Sequence, residues 1–158
     1  MIRSLAVPLA DAPLLASASP STTYPKGAYV RTGRWQVTFD GAFSAGGLEG
    51  LMGGFRVVPV PTYGCLDQPN PLLPFLSKDQ CRIEYSEPAE LWGGGLALSF
   101  EFECSYGAGG HEAGDGSLSM LSPAVFEISF ISKLVNGDGV GTDAFITLKG
   151  ERFSECQE

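Results

Sequence analysis

A chain of 158 residues has room for one domain, or one domain with an appendage, and is long enough to bury a core. Its 21 glycines and 11 prolines call for many short elements separated by turns, while 44% apolar and 11% aromatic residues exclude a disordered chain. No run of about 18 apolar residues occurs, so no membrane-spanning helix and no membrane partner are expected.

The net charge of −8 is unevenly placed. Residues 1–40 hold Arg3, Lys26, Arg31 and Arg34 against Asp11 and Asp40, whereas the remainder holds six basic and sixteen acidic groups. An acidic body without a Lys/Arg cluster repels phosphate backbones, so nucleic acid is not an expected partner.

In chain order, residues 1–33 are punctuated by Pro8, Pro13, Pro20 and Pro25 and have no helical period. Each proline favours extended geometry in its predecessor. The segment is read as an extended N-terminal arm whose Leu5, Val7, Leu9, Leu14 and Leu15 are candidate interaction residues, with residues 1–25 lying on a neighbouring subunit or the surface of a larger particle. Arg3, the apolar residues after it and Ala16-Ser17-Ala18 imitate a secretory signal, but Pro8, Asp11 and Pro13 interrupt it, so it is read as part of the mature chain.

From residue 34 a single β-rich domain is expected to run to residue 158. Strands are predicted where apolar residues alternate: Arg34–Asp40, Phe55–Val60 (ended by Pro59 and Pro61), Arg82–Ser86, Leu96–Cys104, Ala124–Leu134 and Thr142–Lys149. Phe100, Phe102 and Phe126 should share one buried face. Residues 41–54, 62–80 and 105–117 read as loops, the second covering a core edge with Leu72, Leu73, Phe75 and Leu76. Asn136-Gly137-Asp138-Gly139 is hairpin-turn chemistry joining the last two strands. The fold expected is all-β, an antiparallel sandwich or barrel of six to eight short strands with long Gly/Pro-rich loops.

No constellation for catalysis, a metal or a cofactor emerges. The one histidine, His111, sits among glycines that would not hold it against Glu112 or Asp115. Gly41-Ala42-Phe43-Ser44-Ala45-Gly46 lacks the glycine spacing of a nucleophile elbow, and Asn136, Asp138 and Asp143 fail the calcium-loop spacing at Val140. Glu101 and Glu103, about 7 Å apart on one strand face, are what a solvated face requires. Trp35 falls on an apolar face, whereas Trp92, beside Gly93-Gly94-Gly95, is a candidate binding or contact residue. The cysteines form no C-x-x-C pair; Cys104 is expected as a buried free thiol, and Cys65 and Cys81 bracket a loop across which they can pair in an oxidising compartment.

At the level of layout, the arm, the loops at 62–80 and 105–117 and the missing catalytic groups resemble virion structural proteins of tailed bacteriophages, of the capsid decoration (cement) or tail tube type. The resemblance implies a non-enzymatic, homo-oligomeric protein, located in the virion, whose partners are copies of itself and a capsid shell protein. The alternative is a carbohydrate-binding module, with a secreted location also possible on the sequence.

Overall fold

The computed structural model describes residues 21–44, 55–76 and 79–157. Eight strands form one antiparallel sheet: β1 (Gly33–Ser44), β2 (Phe55–Leu66), β3 (Cys81–Tyr85), β4 (Ala89–Glu90), β5 (Leu96–Ser105), β6 (His111–Ser122), β7 (Val125–Val135) and β8 (Gly141–Ser154). Their order is β2-β1-β8-β7-β6-β5-β3, with β4 also on β5. The sheet does not close into a barrel: β2 and β3 are its two edges. No α-helix occurs among the described residues, and the all-β expectation holds.

Alternation decides which face is inside. On β5, Leu98, Phe100, Phe102 and Cys104 are buried while Ser99, Glu101 and Glu103 are exposed. On β7, Phe126, Ile128 and Phe130 are buried in the same cluster, and β1 adds Trp35 and β8 adds Leu148. The expected face shared by Phe100, Phe102 and Phe126 is therefore the core, with each ring about 2% exposed. A second layer of irregular chain lies on it, Ala28 and Val30 from one segment and Leu72 and Leu76 from another, with Leu66 at the end of β2 beside them. The predicted cover by Leu72 and Leu76 is thus seen. Val30 N–H donates to Pro69 O, and Arg31 N–H to Pro123 O, tying the first segment down. Residues 21–25, placed by the sequence in an arm on a neighbour, lie on this body instead: Ser21 pairs with Tyr85, and the Tyr24 ring meets Tyr85 edge-on at 5.1 Å.

Three expected loops are partly strand, two of them because glycines seat aromatic rings. Gly114 and Gly116 on β6 stand opposite Phe102 and Phe100, and Gly150 on β8 stands opposite Phe126. A methyl group on Gly150 would lie 2.3 Å from the Phe126 ring, and one on Gly116 would meet the Phe100 ring at 2.9 Å. These glycines are seats for rings, not turn residues, so 111–117 is strand. Gly41, beneath Phe39 and Phe43, likewise carries β1 on to Ser44. On β2 the strand runs through Pro59 and Pro61 to Leu66. An edge strand tolerates them, because a proline nitrogen facing away from the neighbour costs the ladder nothing.

The cysteines also depart from expectation. Cys81 pairs with Cys104, its direct opposite in the β3–β5 register, so Cys104 is not a free thiol. Cys65 pairs with Cys156 and not with Cys81. The cause is β1, whose Arg34 stands between Cys65 of β2 and Ser154 of β8 and brings both ends together. The turn after β7 matches expectation: Asn136 Oδ1 accepts from the N–H groups of Asp138 and Val140 at 3.0 and 2.9 Å, and Gly139 has φ +81°.

Truncating Phe100 to Ala should cost about 3–5 kcal/mol, and Gly150→Ala about 1–3 kcal/mol through overpacking against Phe126. Chemical denaturation of both variants checks this; a loss below about 0.5 kcal/mol for Gly150→Ala would show that Phe126 does not rest on residue 150.

Candidate binding cavity

Next to these seated rings one place stands empty. Gly64 of β2 lies directly opposite Trp35 of β1, on the same inward face, yet among the described residues nothing comes within 4 Å of where its side chain would begin. Trp35 leans the other way. Its ring packs against Phe126 with centroids 5.0 Å apart, and its Nε1–H donates to Arg31 O at 3.0 Å. Phe126 is itself fixed over Gly150. The tryptophan is thus held from both its carbon and its nitrogen side, away from β2.

The space left is a cavity of about 420 Å³. Val37, Phe39 and Thr62 extend its sheet wall, and Pro71, Pro74 and Phe75 of the covering segment form the opposite wall. It opens to solvent along β2, where Thr62 and Gly64 are exposed. Among the described residues no ionisable side chain lines it; the Thr62 hydroxyl and the Trp35 indole N–H, the latter already bonded to Arg31 O, are the side-chain hydrogen-bonding groups in an otherwise apolar wall. The covering wall is fixed by Asn70, whose Oδ1 accepts from Leu72 N–H at 3.0 Å, and by the burial of Leu72 and Leu76. Cys65 and Cys81 flank this segment, the first tied to Cys156 just past β8 and the second to Cys104 of β5.

The candidate residues read from the sequence lie elsewhere. Leu5, Val7, Leu9, Leu14 and Leu15 fall outside the described residues. Trp92 is fully exposed at the turn between β4 and β5, where Leu91 N–H donates to Gly95 O and Gly93 and Gly94 take φ of +103° and +95°. It does not line the cavity. His111 is exposed at the start of β6. Glu101 and Glu103 border a polar depression with Glu84 and Asp115, in which Glu84, Glu101 and Asp115 stand side by side in register and Arg82 pairs with Glu84 at 2.7 Å. Among the described residues no group of side chains could hold a metal ion. The sequence reading missed Gly64 and Thr62, because only the β1–β2 register puts them opposite Trp35 and Val37.

Three tyrosines have shifted acidities. Burial raises Tyr24, with Tyr85 adding to it; burial also raises Tyr85, against a hydrogen bond from Asn70. Tyr106 is pushed up to about 12 by burial and by its hydrogen bond to Glu112 Oε2 at 2.8 Å.

No protein-family model, no curated protein and no solved structure matches this chain.

The folded chain should hold these three phenolic protons above their ordinary pKa of about 10, while the unfolded chain releases them. Between those values the unfolded state binds fewer protons, so stability present in full below pH ~10 is lost as pH rises through the folded-state values. Phenolate absorbance at about pH 11 should be lower in the folded chain than in denaturant; equal absorbance would mean that these phenols are not buried.

Proposed function

We propose that this chain is a non-catalytic binding protein whose cavity between β1, β2 and the covering segment takes a small, uncharged, apolar molecule. The observation that supports it best is the contrast between glycines: a ring fills the space over Gly41, Gly114, Gly116 and Gly150, and among the described residues nothing fills it over Gly64. A volume of about 420 Å³ falls within the span usual for small-molecule sites, roughly 300–1,000 Å³. Without an ionisable wall, a charged ligand would lose its hydration and gain no partner. Thr62 has no neighbouring base in the lining to activate it, which favours binding over chemistry. Two disulfides suit an oxidising compartment and so the secreted location.

The test uses the uncharged dye Nile red. It should brighten on binding and quench Trp35 fluorescence. Gly64→Leu starts from a Cβ that meets nothing within 4 Å and projects a side chain into the cavity, so it should weaken dye binding at least about tenfold while leaving thermal stability unchanged or higher. No binding to the native chain, or equal binding to Gly64→Leu, would overturn the reading.

A second reading, a structural role in a phage-like virion as a capsid decoration or tail tube protein, is favoured by outward-facing aromatics. Trp92 is fully exposed, and Tyr63 and Phe153 pack edge-on at 5.8 Å with the Arg34 guanidinium 5.3 Å from the Phe153 ring, all on the solvent side. This reading expects self-association, and light scattering of the purified chain separates the two: a homo-oligomer that falls apart on Phe153→Ser supports assembly, and a monomer at all concentrations removes it.

A further inference from the structure

A second cavity, of about 390 Å³, lies on the other side of the covering segment, along the free edge of β3. Thr22, Tyr24, Asn70, Leu73, Ile83 and Tyr85 are among its walls. The hydrogen-bond phase of β3 fixes what the edge presents. Ser105 N–H donates to Gln80 O and Ser86 N–H to Ser99 O, so the even-numbered residues of this stretch face β5. Cys81, Ile83 and Tyr85 therefore turn their backbone groups outward. Ser21 takes both groups of Tyr85, at 3.0 and 2.8 Å. Past Ser21 the chain diverges from the strand, and among the described residues the N–H and C=O of Ile83 have no backbone partner.

A side chain points to the same place. Tyr85 is 4% exposed, and its hydroxyl accepts from Asn70 Nδ2 at 3.0 Å. The bond from Leu72 N–H to Asn70 Oδ1 fixes which way the amide faces. The Tyr85 oxygen is thus the acceptor in that pair, and its own proton has no acceptor among the described residues. A phenolic proton that faces the cavity without a protein acceptor is satisfied by an incoming acceptor.

We propose that this cavity receives a short extended peptide, added as a strand to the edge of β3, paired through the main chain of Ile83 and met by the Tyr85 hydroxyl. A donor and an acceptor exposed together on one edge residue match another main chain, the pattern of strand addition. The Ser21–Tyr85 bridge closes one end, leaving only Ile83 and Cys81 to pair, a reach of about three residues. The rings and aliphatic groups of Tyr24, Leu73 and Ile83 favour apolar side chains on that peptide.

The probe is the blocked tripeptide acetyl-Val-Ala-Val-amide, titrated to millimolar concentration into the full chain labelled with nitrogen-15. The Ile83 amide resonance should move downfield and its hydrogen exchange slow at least about tenfold, while the analogue methylated at every peptide nitrogen leaves both unchanged. Tyr85→Phe keeps the ring and should weaken binding about fivefold, the worth of one neutral hydrogen bond. No shift at Ile83, or equal binding of the methylated analogue, overturns the proposal. So does an Ile83 amide already protected in the peptide-free protein, which would mean that another part of the chain holds the edge.

Discussion

Phenylalanine rings lying on glycines of the neighbouring strand are the contact on which this sheet depends. A glycine in a strand is costly by itself, by roughly 0.5–1 kcal/mol relative to alanine, and offers nothing to pack. Here Phe100 lies over Gly116, Phe102 over Gly114 and Phe126 over Gly150. Each ring covers backbone that would otherwise face the core bare, and the missing side chain lets it lie close. The rings then touch each other: Phe102 meets Phe130 edge-on at 5.6 Å, and Phe100 meets Phe130 at 6.4 Å. A single sheet with an irregular cover thus obtains a continuous core from its own inward face. Register follows from it, since a slip by one residue would put a ring over a side chain and turn the row outward.

The cover itself has little regular structure, and its attachment is mostly covalent and local. The described stretches 67–76 and 79–80 lie between the two sheet edges, with Cys65 bonded to Cys156 beside the first and Cys81 to Cys104 beside the second. The bridges close separations of 91 and 23 residues, and in the chain-entropy account the longer contributes about 1 kcal/mol more. Arg152 reinforces the first corner, donating to Thr32 O at 2.8 Å and pairing with Glu155, next to Cys156. Both cavities flank this segment, so its fixed position defines the shape of each.

Much of the fold was legible because aromatics advertise alternation. β5 and β7 could be read directly from Phe100, Phe102, Phe126 and Phe130, and the β7–β8 turn from Asn136 and Gly139. β6 could not, since two of its inward positions are glycines whose role exists only once Phe100 and Phe102 lie over them. Pro59 and Pro61 read as a strand end because the sequence does not say which side of β2 lacks a neighbour. The cysteine pairs depended on register in the same way. The cavity is the least legible feature of all: it is a place where a pattern is missing, and a gap over Gly64 has no signature until the ring opposite is seen leaning toward Phe126.

An uncharged wall has a consequence for the conditions under which the first cavity works. Its occupancy would be indifferent to ionic strength and to pH wherever the sheet stays folded, because no proton or counterion need be exchanged. Temperature is the variable that remains: apolar contact weakens on cooling and leaves a negative heat-capacity change as its mark. A chain carrying eight excess negative charges would then hold its guest by the one force those charges do not reach.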